Sequence, residues 1–435
     1  MEIKTIYIET YGCSANQNNS EILAGILSQA GFIITNNIDL ADLIIINSCV
    51  VKSKTESKIK RRIQDLKSKK IILAGCMPET DFKKLKKIKR DLVFLGTNHF
   101  KDVKNIIRDI NENKLDEKKQ QSYLSCNGEV KLNLPKIPQN KLISIHQISE
   151  GCLGNCTYCK TKLAKKNLVS YTKEEILKSI ESDLQAGAKE LWITSQDNAS
   201  YSMDKKEKQH ELPELLKNIL ELKHKFKLRL GMMDPNNVLP ILKELIEIYK
   251  DKKMYKFLHI PIQSASNKVL KDMNRFYTIE KTEKIIVEFR KVFPDITIAT
   301  DIIVGYPTET EEDHKKNLEF INKFKPDVFN LSKFSSHKQT KAGKLKVLPG
   351  KLINKRASEL MEAHKITAKE NKNKFLGKEI KVFINEKISE QLYRARDENY
   401  NIIVVPTTKE NLGKELDVKI KQIGVHSMIG EIVKN

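Results

Sequence analysis

Three times in the first hundred residues a short apolar run ends on a cysteine. "KTIYIETYGC" closes on Cys13, "LADLIIINSC" on Cys49 and "KKIILAGC" on Cys76. A fourth run of the same kind, "LVFLGT", follows at 92–97. Short, β-branched runs that alternate with helical patterns predict buried parallel strands in a doubly wound sheet over residues 1–111. In an open α/β sheet, ligands bind along the C-terminal ends of the strands. The topology therefore predicts three thiols along one functional edge, a placement that unrelated core cysteines would rarely produce. Between the strands the pattern predicts a helix at 19–31, capped by Asn19 or Ser20, and two lysine-rich helices at 51–70 and 81–90.

The chain has 435 residues, enough for two or three domains. It contains no apolar stretch long enough to span a membrane, and its first residues do not read as a signal peptide, so a cytoplasmic protein without membrane partners is expected. The net charge is +22. Such an excess reads either as a lysine-rich surface or as a match for a polyanion, most simply nucleic acid. The helices at 51–70 and 81–90 concentrate that charge and are candidate phosphate contacts. Seven cysteines in a reducing compartment favour metal or redox chemistry over disulfides. Cys126 lies in the polar, proline-containing stretch 112–140, expected to be a linker, and reads as a bystander thiol.

From 141 to 371 strands and helices alternate again. Strands are predicted at 142–149, 190–197, 227–233, 256–264, 296–307 and 327–336, with Thr172 and Glu175 forming a capping box ahead of the first intervening helix. Six βα units predict a partial parallel barrel, whose function sits at the C-terminal ends of its strands. One helix is expected at 350–371. Residues 372–435 switch to short alternating strands and predict a small all-β barrel. No repeat of 20–50 residues is evident.

The chemistry is concentrated in "GCLGNCTYCK", where Cys152, Cys156 and Cys159 are spaced C-x3-C-x2-C. A structural zinc site needs four ligands, usually from two C-x-x-C knuckles. Here there is one knuckle and one earlier cysteine, with His146 as a conceivable fourth ligand. A compact three-cysteine loop suits a 4Fe-4S cluster that leaves one iron open to a small molecule. Tyr158, just before the last cysteine, fits a loop that packs over a flat ring.

This loop, directly after the first strand of a βα barrel, resembles the radical S-adenosylmethionine (SAM) superfamily. "TYGCSANQNNSE", "NSCVVKSKTESK" and "AGCMPE" resemble the N-terminal domain of its methylthiotransferases. "ELWITSQDNASY", "LRLGMMDPNN", "FLHIPIQSASNKVLKDMNR" and "DIIVGYPTETEEDH" resemble their barrel, and the C-terminal barrel resembles the TRAM RNA-binding module. The wording is most similar to the archaeal and eukaryotic enzymes that act on N6-threonylcarbamoyladenosine next to the tRNA anticodon.

The resemblance implies two 4Fe-4S clusters and SAM as cofactors. Cys152, Cys156 and Cys159 would hold the SAM-binding cluster, and Cys13, Cys49 and Cys76 an auxiliary one. Tyr158, Gln196, Asp197, Gln263, Ser264, Asp301 and Ile303 would lie where SAM binds; Met232 and Met233 read as packing. It further implies methylthiolation at C2 of the modified adenosine in a tRNA anticodon arm, with a low-potential donor such as ferredoxin or flavodoxin. A C2–H bond is not acidic, so radical chemistry from a cofactor is needed. The alternatives are an isopentenyladenosine or ribosomal-protein aspartate substrate and, in another class, a non-catalytic zinc and RNA-binding protein. The chain departs from the family in three places. Lys165-Lys166 stands where Arg-Gly is usual, His337-Lys338 where Arg-Pro is usual, and Asp234 where Asn is usual.

Overall fold

The computed structural model describes residues 2–124, 129–207 and 209–433; Cys126 lies outside the described residues. The chain packs as two compact units. The first comprises Met1–Gln139, Ile145–Asn155 and Cys159–Ser179, and the second Asn140–Ser144, Cys156–Tyr158 and Ile180–Asn435.

The first unit is built on five parallel strands, β1 (Thr5–Thr10), β2 (Ile33–Thr35), β3 (Leu43–Ser48), β4 (Lys70–Gly75) and β5 (Val93–Leu95), in the order β2-β1-β3-β4-β5. Four of these are the expected strands; β2 is an additional short edge strand. Ile44, Ile46, Ile71 and Leu73 face one hydrophobic cluster, and Leu43, Ile45, Ile72 and Ala74 face another. A sheet covered on both faces needs apolar residues at every position, which is why these strands read as unbroken apolar runs.

The helices are α1 (Ser14–Gln29), α2 (Ser53–Asp65), α3 (Cys76–Ile88) and α4 (Val103–Asn111). The helix expected at 19–31 in fact begins at Ser14, with Cys13 rather than Asn19 or Ser20 as its N-cap. Its polar first turns are buried and hydrogen-bonded. Asn16 Nδ2 donates to the carbonyls of Tyr11 (2.7 Å) and Ser48 (3.0 Å), and Asn47 Nδ2 donates to Asn16 O (2.8 Å) and Ser20 Oγ (2.9 Å). Residues that pattern assigns to a loop are thus the polar lock between α1 and the ends of β1 and β3.

The stretch expected as a linker is packed against this unit. It carries α5 (Glu117–Ser122), and the Glu129 carboxylate accepts from the N–H groups of Phe100 and Lys101, each at 2.9 Å. Gly25 leaves no space for a side chain, because a Cβ there would stand 2.2 Å from the Pro135 carbonyl oxygen.

The chain enters the barrel strand β6 (Ile143–Gln147), which runs across the division of the two units. In the first unit, β7 (Ser149–Glu150) pairs antiparallel with β8 (Val169–Ser170), and α6 (Thr161–Lys165) lies between them in sequence. The capping box forms as expected, with Thr172 Oγ1 and Glu175 N 3.3 Å apart.

In the second unit β9 (Glu190–Thr194) pairs parallel with β10 (Lys227–Leu230). The strands β11 (Phe257–His259), β12 (Thr297–Val304) and β13 (Val328–Lys333) form a parallel sheet. A parallel bridge from Leu228 to Met254 links the two sets. All six expected barrel strands are present. The long helix spans Gly350–Asn373, and β14 (Glu379–Lys387), β15 (Leu392–Arg396), β16 (Ile402–Pro406), β17 (Glu415–Ile423) and β18 (Met428–Ile432) close into a barrel.

The turn between β15 and β16 is inserted among aromatic side chains at the N-terminal ends of the barrel strands. Tyr400, at φ +64°, packs edge-on to Tyr255 (ring centres 4.9 Å apart) and tilted against Phe257 (5.0 Å), with the Arg396 guanidinium 4.0 Å from its ring centre. Arg229 lies over Trp192, Phe257 and Tyr400 at 5.1–5.8 Å. Below it the buried Glu190 carboxylate accepts from Trp192 Nε1 (2.6 Å), Tyr255 Oη (3.2 Å) and Asn385 Nδ2 of β14 (2.8 Å).

Candidate active site

Cys13, Cys49 and Cys76 follow β1, β3 and β4, which are neighbours in the sheet. Two glycines make the approach possible. Gly12 has φ +119°, and a Cβ there would stand 2.8 Å from Cys49 Cβ, so the turn carrying Cys13 runs against Cys49. Gly75 has φ +90°, and its Cβ would stand 2.5 Å from Asn47 Oδ1 and 2.6 Å from Ser48 O. Only a residue without a side chain fits both demands. Ser48 Oγ completes the join, donating to Ala74 O (2.6 Å) and accepting from Met77 N (3.1 Å).

Cys13 is exposed, whereas Cys49 and Cys76 are buried. Burial pushes the Cys49 thiol up to about 11 and the Cys76 thiol to about 12, each raised further by the other cysteines and opposed by the Lys165 ammonium. Thiols of this kind ionise when a metal centre takes the proton's place. Three soft sulfur donors fit an iron–sulfur cluster and not a hard oxygen-seeking cation. Among the described residues no three His, Cys, Asp or Glu side chains converge on one ion. A cubane binds each thiolate to a different iron, so convergence on one point is not what it requires.

Buried charges surround this edge within the first unit. Lys160, beside Cys159, places Nζ 2.9 Å from Glu56 and pairs also with Asp81. The Glu150 carboxylate holds Lys131 at 2.5 Å and Lys165 at 3.3 Å. Burial works against the Glu150 charge, yet Lys131 and Lys165 hold its carboxyl below the usual range. Lys166 adopts φ +51°, the backbone region that suits the glycine usual at this position.

Cys152, Cys156 and Cys159 are all partly exposed. Cys152 Sγ accepts from Gly154 N (3.2 Å), and Lys162 Nζ donates to Cys152 O (2.5 Å). His146 is buried, with Ser179 Oγ 3.3 Å from its Nδ1. In the second unit, Thr157 fixes the loop by hydrogen bonds to Met273 O and Asp272 O, both 3.0 Å. Tyr158 packs with Ile303 in a cluster that includes Met273, Tyr306 and Phe334. Burial works against the Arg275 charge, but Tyr158, Tyr277, Asp234 and Cys156 hold it firmly protonated; its guanidinium pairs with Asp234. Sequence reasoning noted Asp234 only as a departure and missed Arg275, whose partner lies 41 residues away.

Of the remaining expected residues, Gln196 and Asp197 follow β9, Gln263 and Ser264 lie in the segment after β11, and Asp301 and Ile303 lie within β12. Gln196 Oε1 is buried without a hydrogen-bond partner, as an acceptor awaiting a ligand donor would be. Asp197 is occupied internally. Its oxygens accept from Ala199 N (3.1 Å), Asp234 N (2.9 Å) and Asn237 Nδ2 (2.6 Å), and burial together with the Asp234 carboxylate raises its carboxyl to about 7. Met233 N donates to His259 O (3.0 Å), and His259 Nε2 meets Asp301 Oδ2 at 2.5 Å. Gln263, at φ +62°, donates through N to Asp301 O (2.8 Å) and accepts from Ile303 N (2.9 Å), which gathers Gln263, Asp301 and Ile303. Ser264 is buried and accepts from Ser266 N (3.2 Å). Met233 is buried packing, while Met232 is 36% exposed.

Three family models match the chain in order: "Uncharacterized protein family UPF0004" at 5–96, "Radical SAM superfamily" at 147–321 and "TRAM domain" at 373–433. Together they define a radical SAM protein with a C-terminal TRAM barrel. The fold is shared with the radical SAM methyltransferase TsrM from Kitasatospora setae (TM-score 0.58, 13% identity, 79% of this chain and 77% of that one). It is shared also with the cobalamin-dependent radical enzyme OxsB (TM-score 0.51, 14% identity, 84% and 57%). Much nearer in sequence is the "Probable threonylcarbamoyladenosine tRNA methylthiotransferase" of Archaeoglobus fulgidus, 37% identical over 98% of both chains. The human "Threonylcarbamoyladenosine tRNA methylthiotransferase" is 34% identical over 100% of this chain and 75% of its own. The chain belongs to the threonylcarbamoyladenosine tRNA methylthiotransferase family.

Proposed function

We propose that this protein is a tRNA methylthiotransferase that places a methylthio group at C2 of N6-threonylcarbamoyladenosine next to the anticodon. One observation carries the reading: thiols at the ends of three neighbouring parallel strands accompany a separate C-x3-C-x2-C loop after the first barrel strand. Each set offers three thiolates, and each would therefore leave an iron without a protein ligand. Cys152, Cys156 and Cys159 are assigned to the SAM-binding 4Fe-4S cluster and Cys13, Cys49 and Cys76 to the auxiliary one. When bound, the clusters and SAM supply the radical and sulfur chemistry that an unactivated C–H bond demands.

The protein's own residues orient and enclose. Thr157 and the Tyr158 cluster hold the cysteine loop against the barrel strands of the second unit. Gln196 offers an unused acceptor for SAM, and Gln263, Ser264, Asp301 and Ile303 are assigned to its binding from the β11–β12 side. His259 orients the Asp301 carboxylate. Asp197 serves by holding the Asp234 loop in place. The functional limits we assign are 1–111 for the auxiliary-cluster domain, 141–371 for the radical SAM domain and 372–435 for the RNA-binding barrel. The lysine-rich α2 and α3 and the C-terminal barrel are assigned to the anticodon arm, whose single-stranded target base leaves its stack at low cost. A low-potential donor such as ferredoxin or flavodoxin supplies electrons, and the setting is cytoplasmic. Among the described residues, no helix is long and apolar enough to cross a membrane.

Nucleoside analysis of tRNA from a deletion strain tests the substrate: the 2-methylthio form of threonylcarbamoyladenosine disappears, and its persistence refutes the assignment. Loss of the isopentenyl counterpart alone would select the rival substrate. Replacing Cys13, Cys49 and Cys76 by Ala should spare SAM cleavage and abolish thiolation; replacing Cys152, Cys156 and Cys159 should abolish both. One or two zincs and no iron after anaerobic purification would overturn the whole reading.

A further inference from the structure

Lys165 is a buried ammonium with half a partner. Its Nζ lies 3.3 Å from a Glu150 oxygen that also holds the Lys131 ammonium at 2.5 Å, and all three side chains are at most 6% exposed. Two buried cations therefore meet at one oxygen of one buried carboxylate, and at Lys165 that is the one carboxylate within ion-pair distance among the described residues. Glu129 accepts from the N–H groups of Phe100 and Lys101 and its charge acts on the Lys131 side, while burial raises Glu79 to about 7. Taking an ammonium out of water costs several kcal/mol unless an anion repays it. The other groups whose charge would act on Lys165 are Cys76 and Cys13, which become anionic when they ligate a metal centre.

The packing gives this charge its address. Ala164, one residue earlier on α6, lies in the same hydrophobic cluster as Tyr11, Val50, Cys76 and Met77. Those residues belong to the three turns that carry the thiols. The helix that ends in Lys165 thus leans on the cysteine edge, while Lys131 is turned away and covers the Phe100 ring at 4.7 Å.

We propose that Lys165 is a positioning residue: its fixed positive charge retains the anionic sulfur ligand that a Cys13–Cys49–Cys76 cluster carries besides its three protein thiolates. The inference rests on the reading in which those cysteines hold a cluster. Its ligand class is a monoanionic sulfur species, hydrosulfide or methanethiolate. No bond to Lys165 forms or breaks; the lysine acts through charge alone.

The test uses full-length protein with Cys152, Cys156 and Cys159 replaced by Ala, reconstituted anaerobically so that only the N-terminal cluster forms. Sodium sulfide, sodium methanethiolate and neutral dimethyl sulfide are titrated against it by EPR, and the cluster's reduction potential is measured. In Lys165→Met, affinity for the anionic probes should fall at least tenfold, with dimethyl sulfide unaffected. The one-electron equilibrium should shift tenfold toward the oxidised cluster, which is 59 mV more negative. Lys165→Arg should stay within threefold of the parent, and Lys131→Met should change neither readout. A response from only one of the two anions identifies the ligand. Equal affinities and potentials in fully iron-loaded Lys165→Met and parent overturn the proposal. Absence of iron in the parent overturns the cluster assignment instead. If Lys165→Met does not load iron, Lys165→Gln carries the same comparison.

Discussion

Replacing Lys166 by glycine should stabilise this protein. The residue ends α6 at φ +51° and ψ −127°, outside the regions open to a residue with a Cβ. Holding a side-chain-bearing residue in such a region costs about 1–3 kcal/mol. Glycine removes that strain but loses about 0.5–1 kcal/mol more backbone entropy on folding. The Lys166 side chain is exposed, so little packing is lost with it. The difference leaves a net gain of up to about 2.5 kcal/mol, or up to roughly 5 °C in Tm for a domain of this size. Urea midpoints and Tm would be compared for the parent, Lys166→Gly and Lys166→Ala. Alanine removes the charge but keeps the Cβ, so it should remain within about 0.5 kcal/mol of the parent. An equal gain from alanine and glycine would show that the side chain, and not the backbone, was at fault. A net loss with glycine would refute the strain argument outright.

Three further outcomes are expected. Gly75→Ala forces a Cβ against Asn47 and Ser48 at φ +90° and should displace Cys76, lowering bound iron from about eight to about four per chain by iron analysis. Lys160→Met removes the buried partner of Glu56 and Asp81, leaving them the more exposed Lys60 (3.9 Å) and Lys84 (3.5 Å), and should cost about 1–3 kcal/mol, read from urea midpoints, with partial recovery on adding Asp81→Asn. Asp197, raised from 3.8 to about 7, binds its proton more tightly folded than unfolded, so stability should fall as pH rises from about 4 to about 7. Asp197→Asn should flatten that decline between pH 5 and pH 8; identical slopes in the two proteins would exclude Asp197 as its source.

The strands and their cysteines were legible because burial on both faces of a parallel sheet writes itself as an unbroken apolar run ending at the functional edge. The six barrel strands were legible for the same reason. The start of α1 was not, because Asn16 and Asn19 are buried by hydrogen bonds with Ser48 and Gln147, at strand ends that lie far away in sequence. The Lys131–Glu150–Lys165 group was equally hidden. A lysine normally signals surface, and nothing local announces that two of them converge on one buried carboxylate. Asp197 follows β9, but which atoms its oxygens would meet depended on the Asp234 loop, 37 residues on.

The aromatic seat around Tyr400 has a consequence for how RNA is measured. A recognition module on a loose tether samples many positions, and its grip on a ligand sets only an effective concentration near the reactive centre. Here the turn 397–401 is seated under strands of the second unit by Tyr255, Phe257, Arg229 and the Glu190–Asn385 bond. With the C-terminal barrel gripping the tRNA as proposed, this seat would act as a calliper: a nucleotide would be selected by how far it lies from the gripped part of the arm, and lengthening the sequence between 373 and 379 would leave that span unchanged as long as the Tyr400 seat holds.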